Sequence, residues 1–194
     1  IVMGWDGTYK PASVPLKQFV VDQINGTGTK YEHKVLDICV RPFSAAYAAV
    51  ERTHLMTGAK EVYGLVVAIR HSKDGYVYTK MMDEDMGPYY TECPARILDL
   101  LSPTTDESAL KWRGWCRDAL SAREALKKDL DSAREGTVFR FLKPAKFTRG
   151  DVTEMQFHTK SGRQYAFLVG RYAFYASIER LLKLKDWYGL EVVR

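Results

Sequence analysis

Three consecutive carboxylates, Asp83, Glu84 and Asp85, form the densest run of reactive side chains in the sequence, and Glu92 and Cys93 follow closely, with Tyr89 and Tyr90 between. Adjacent carboxylates are ligands that a hard cation such as Mg²⁺ selects, and one of a pair can act as a general acid or base. That chemistry would suit a small metal-dependent hydrolase or nuclease, with His158 as an added base. The plainer reading is a solvated acidic turn, since consecutive acids without a partner motif often just charge a loop or a helix start. Cys93 stands just before Pro94 and an apolar helical pattern, and the positive end of a helix lowers a thiol pKa towards the nucleophilic thiolate. A thiol enzyme would also need a base, His71 or His158, and no local signature joins either to Cys93. A small buried cysteine is the commoner role.

A second set of residues has a different chemistry. Lys143, Lys146, Arg149, Lys160, Arg163 and Arg171 are interleaved with Phe139, Phe141, Phe147, Phe157, Tyr165 and Tyr172. From Gly136 to the end there are eleven Lys and Arg against five acids, a net of +6, so the first 135 residues carry −1 of the overall +5. Cations release phosphate counterions and aromatic faces stack on bases, which suits nucleic acid, single strands above all. Strand alternation gives the competing account, with aromatics inward as core and cations outward in solvent. If the aromatics are buried, only the electrostatic part survives. The same basic face would steer an acidic host protein. No RRM, KH, zinc-finger or helix-turn-helix signature accompanies the charge.

Other chemistries find little support. The histidines, His33, His54, His71 and His158, include no His-x-x-x-His pair, and Cys39, Cys93 and Cys116 are an odd number at wide spacing. Neither a zinc site nor a disulfide framework is expected, the thiols should be reduced, and no metal or other cofactor is expected. Trp112, Trp115 and Cys116 at helical spacing read as core, and Trp5 and Trp187 as pins for the chain ends. The sequence holds no apolar run of the roughly 18 residues that crosses a bilayer and no signal-peptide layout, so the expected location is the cytoplasm.

The elements that must position these residues follow from periodicity. Leu16, Phe19, Val20 and Ile24 make the stripe of a short helix stopped by Asn25-Gly26. Segments 31–40, 45–53, 61–71 and 76–82 read as strands of an antiparallel meander, with Lys73-Asp74-Gly75 as the strongest hairpin signal and 45–51 equally compatible with a helix. Residues 81–94 read as a loop whose path Gly87-Pro88 fixes. A short helix begins near Pro94, and a long one runs from about Asp106 to Gly136 with Trp112, Cys116, Ala119, Leu126, Leu130 and Ala133 on its buried side. After Gly136, short alternating runs, a tight Lys160-Ser161-Gly162-Arg163 hairpin, a helical turn at 178–183 and a closing strand at 190–193 point to an SH3-like curved sheet or barrel. The expected fold is α+β, with an α+β domain at 1–135 and a small basic β-rich module at 136–194 packed against it.

Four segments carry a family resemblance: Met3-Gly4-Trp5, then Lys80-Met81-Met82-Asp83-Glu84-Asp85-Met86-Gly87-Pro88-Tyr89, then Cys93-Pro94-Ala95-Arg96-Ile97-Leu98-Asp99-Leu100-Leu101-Ser102-Pro103, and Trp112-Arg113. Together they resemble an uncharacterised family of small proteins of phages, plasmids and bacterial genomes. The resemblance implies a mobile-element setting and the same α+β build, and supplies no activity or catalytic residue. The expectation is a non-enzymatic accessory protein that binds nucleic acid or a host protein, with counter-defence as a role. The alternative is the hydrolase or nuclease built on Asp83, Glu84 and Asp85.

Overall fold

A computed structural model describes residues 7–9, 14–41, 45–72 and 75–193. The Met3-Gly4-Trp5 segment, Pro42, and Lys73 and Asp74 of the expected hairpin lie outside the described residues. The fold is α+β, as the sequence reading has it: a short helix with an antiparallel meander, helices in the middle, and a second curved sheet. The chain divides into two compact units, Ile1–Leu120 and Ser121–Arg194. No helix among the described residues is long and apolar enough to cross a membrane.

The first unit holds β1 (Gly7–Tyr9), α1 (Leu16–Ile24), β2 (Gly26–Thr27), β3 (Tyr31–Arg41), β4 (Ala45–His54), β5 (Lys60–Ser72), β6 (Gly75–Met82), α2 (Ala95–Leu98) and the start of α3 (Glu107–Ser132). Its sheet, in order β1-β6-β5-β4-β3-β2, is an antiparallel meander curled into a half-barrel. Both faces are covered. On one, Ala46, Ala48, Val50, Leu65 and Val67 meet Phe19, Val20 and Ile24 of α1. On the other, Ala45, Tyr47, Ala49, Val66 and Ala68 meet Ile97 and Leu98 of α2 and Trp112 and Cys116 of α3. Every residue of β4 from Ala45 to Val50 is therefore buried. A strand covered on two sides shows a continuous apolar run instead of alternation, which is why the sequence left this segment open between strand and helix. Asn25 ends α1 and its side-chain oxygen accepts the Val35 N–H at 2.8 Å, tying the helix to β3.

Helix α3 starts after Asp106, whose carboxylate accepts the Ala109 N–H at 2.7 Å as an N-cap. Ala109, Trp112 and Cys116 are its buried side in this unit. Trp115 is 38% exposed, contrary to its expected place in the core: the stripe turns one position away from it.

The second unit takes the end of α3 and adds β7 (Val138–Phe147), β8 (Gly150–Ser161), β9 (Gln164–Val169), β10 (Tyr172–Ala176), α4 (Ile178–Tyr188) and β11 (Leu190–Val192). The sheet order is β10-β9-β8-β7-β11, all antiparallel. Register shifts between Arg140 and Ala145 on β7 and between Phe157 and Thr159 on β8 bend the sheet, as bulges do. Its hollow is filled by Leu126 and Leu130 of α3, Leu181 and Leu184 of α4, and a ring cluster in which Phe167 stands edge-on to Phe139 at 5.3 Å and to Phe157 at 5.8 Å. Ser177 caps α4 by accepting the Arg180 N–H. Trp187 is 66% exposed and lies edge-on to Tyr188, so the residue expected to pin the chain end stands mostly in solvent.

Candidate functional site

The acidic residues of the loop are not brought together. Asp83 is 3% exposed, and its carboxylate takes Nε of Arg113 at 2.8 Å and a terminal nitrogen at 2.6 Å. Its N–H donates to the Gly64 carbonyl, and Arg113 also donates to the Ser102 carbonyl at 2.7 Å. Glu84 and Asp85 are exposed to solvent. The three carboxylates do not converge, and among the described residues no group of three His, Cys, Asp or Glu could hold a metal ion. Asp83, the buried member of the three, is held in an ion pair with Arg113 rather than turned towards the other two, which counts against the hydrolase alternative. His158 belongs to the second unit, where its Nδ1 lies 2.8 Å from Glu135.

The rest of this loop is fastened just as closely. Trp112 Nε1–H donates to the Tyr90 carbonyl at 3.3 Å, Tyr90 sits at φ 54, and Arg41 reaches the Glu92 carbonyl. Met86 and Cys93 plug into the core. Cys93 precedes α2 as expected, but α2 is a single turn and the thiol is wholly buried. Burial pushes its pKa well above the usual thiol range and raises that of buried Cys116 to about 12, so desolvation outweighs any helix-end effect. An aromatic disulfide reagent added to the native chain should label partly exposed Cys39 first, and should reach Cys93 and Cys116 only on unfolding, as read by intact mass. Rapid native labelling of Cys93 would contradict this placement.

The basic residues of the second unit separate into two groups. In a meander, alternate turns lie at the same end of the sheet. The β7–β8 turn carries Arg149 and the β9–β10 turn carries Arg171, whereas Arg163 sits in the β8–β9 turn at the opposite end, with Lys160 just before it. Lys160 donates to Asp131 at 3.1 Å and lies over the Tyr165 ring. Lys143 is exposed near the bend of β7. The six residues do not make one face.

At the Arg149 end there is a cleft of about 700 Å³, bounded by the two turns, the adjoining strands and α4. Three elements deliver one arginine each. Arg149 stacks over the Tyr172 ring at 4.0 Å, Arg171 follows Gly170, and Arg180 of α4 lies over the Phe174 ring at 4.8 Å. Gly170, at φ 58, makes the tight turn that places Arg171. Two acids also line the cleft, and both are already occupied: Asp151 holds Lys146 at 3.2 Å and Glu154 holds Arg140 at 2.8 Å. Among the described residues no carboxylate pairs with Arg149, Arg171 or Arg180. Three planar guanidinium groups therefore face one concave surface with their charge uncompensated, an arrangement suited to phosphate or carboxylate.

The aromatics divide as well. Phe139, Phe141, Phe157 and Tyr165 are buried and Phe147 is partly buried, so they are core. Tyr172, at 53% exposure, is the one of the expected six that stays exposed, with Arg149 over one face of its ring. Arg180 escaped the sequence reading because it is on a helix rather than in the basic-aromatic strand pattern. The signal was present: Ile178, Leu181 and Leu184 form the buried stripe of α4 and leave Arg180 on its exposed side.

The profile of a family described as a domain of unknown function, DUF6927, matches residues 103–174. That span takes in α3, β7, β8, β9 and part of β10, so it includes Arg149, Arg171 and Tyr172 and stops short of Arg180. The chain is similar to that family over well under half its length. No curated protein and no solved structure matches the chain.

Proposed function

We propose that the second unit is a nucleic-acid-binding module and that the cleft between its β7–β8 and β9–β10 turns is the contact surface. The observation that carries this reading is the convergence of Arg149, Arg171 and Arg180 on one cleft whose acids are already paired with other cations. Arginine forks grip phosphate oxygens, and Tyr172 offers an exposed ring edge beside them. Single strands fit better than duplex, because an unpaired base can reach that ring. With most aromatics in the core, affinity comes chiefly from charge and should be modest and salt-sensitive. The protein then acts by binding in the cytoplasm, as an accessory of a mobile element with counter-defence as its role; the mobile-element setting rests on the family resemblance alone.

Fluorescence anisotropy of labelled single- and double-stranded DNA and RNA across a salt series tests the reading. Three phosphate contacts should give a slope of log affinity against log salt of about −2 for single strands. Absence of binding at low salt would overturn the proposal and leave an acidic protein surface as the partner of the cleft.

A further inference from the structure

The edges of the two sheets are not protected alike. β1 and β11 have three residues and β2 has two, and short edges offer little to an incoming strand. β10 has five, Tyr172-Ala173-Phe174-Tyr175-Ala176, with no charge, no proline and no break in its register against β9. Tyr172 and Tyr175 are 53% and 52% exposed. The two-residue Gly170-Arg171 turn makes Val169 and Tyr172 the hydrogen-bonded pair that closes the hairpin, so bonding to β9 falls on Tyr172, Phe174 and Ala176. The N–H and C=O groups of Ala173 and Tyr175 then point away from the sheet, and no group among the described residues bonds to them.

We infer that this edge is where a second copy of the chain pairs, β10 against β10, antiparallel about a two-fold axis at Phe174. The register is self-complementary. Ala173 falls opposite the second copy's Tyr175, so the four outward backbone groups of each chain meet their counterparts. Tyr172 falls opposite the second copy's Ala176. Each tyrosine thus faces an alanine, large against small, which is how cross-strand pairs pack without crowding. No charged residue lies within the paired stretch and Arg171 falls beyond it, opposite Ser177, but Arg180 over the Phe174 ring approaches its counterpart across the axis, a like-charge contact that salt screens, so the dimer should tighten as salt is raised. A two-fold pairing of this kind closes on itself and leaves no free β10 edge to propagate.

Sedimentation equilibrium of the full chain over a concentration series, without nucleic acid, reads the association directly. The expected result is a monomer–dimer equilibrium with slowed exchange of the Ala173 and Tyr175 amides in the dimer. Ala173→Pro removes one outward N–H that β9 does not use, and Tyr175→Lys places a charge in the pairing stretch. Each should give a monomer with wild-type circular dichroism and with the melting temperature that the wild type shows at concentrations too low to dimerise. A wild-type chain that stays monomeric, a dimer that persists in both variants, or growth into open-ended larger species would each overturn the inference.

Discussion

Replacing Arg113 with alanine should destabilise the first unit by about 3–5 kcal/mol, the usual cost of stranding one member of a buried ion pair. Asp83 would keep its buried position with both arginine contacts gone, and the Ser102 carbonyl would lose its donor. The surroundings allow little relaxation. Gly64 on β5 has no side chain, and a Cβ there would stand 3.0 Å from the Trp112 ring and 3.2 Å from Asp83 Cβ, so Trp112 and Asp83 occupy the space the glycine leaves. Asp83→Ala should cost a similar amount, and the double variant much less than the sum, because each single change strands the charge of the other partner and the double variant strands neither. Urea unfolding of the four proteins measures this. Additive losses would mean that the pair contributes nothing as a pair.

Phe167→Ala should be the most damaging single truncation in the second unit, again about 3–5 kcal/mol, because a large ring is removed from a packed core and a cavity remains. Phe167 is wholly buried at the middle of β9, edge-on to Phe139 and Phe157 and 6.5 Å from Phe174. Phe174 in turn lies 4.8 Å from Phe147 and beneath Arg180. Loss of Phe167 should therefore loosen the floor of the cleft as well as the core. Thermal unfolding followed by near-ultraviolet circular dichroism reports both. By contrast, Tyr172→Ala, on a half-exposed ring, should leave the melting temperature almost unchanged.

Much of this architecture is local and therefore readable in sequence. The stripe Leu16, Phe19, Val20, Ile24 gave α1, Asp106 marked the start of α3, and the Gly162-Arg163 turn was visible as a tight hairpin. What failed to show was whatever depends on two distant segments meeting. Asp83 and Arg113 are thirty positions apart, so the acidic triplet looked like one chemical unit when one member belongs to the core and two to solvent. The helix-end argument for Cys93 was sound for an exposed thiol and lost to burial. In the basic module, composition showed that cations were abundant but not that neighbouring strands would pair Arg140 with Glu154 and Lys146 with Asp151, leaving the turns and α4 with the unpaired ones. Meander topology then divides Arg149 and Arg171 from Lys160 and Arg163, a separation of ends that a linear list of basic residues conceals.

That division gives the most direct test of the cleft. Two variants should be compared by anisotropy on the same labelled single strand across salt, one with Arg149→Gln, Arg171→Gln and Arg180→Gln, the other with Lys160→Gln and Arg163→Gln. Glutamine keeps part of each stem but removes the guanidinium that lies over Tyr172 and Phe174, so circular dichroism and melting temperature of each variant are first matched to wild type. Loss of binding, or weak residual binding with a salt slope near zero, in the first variant, with the second close to wild type, is the expected result. The reverse pattern, or equal weakening in both, would show that the arginine cleft is not the surface that holds the nucleic acid.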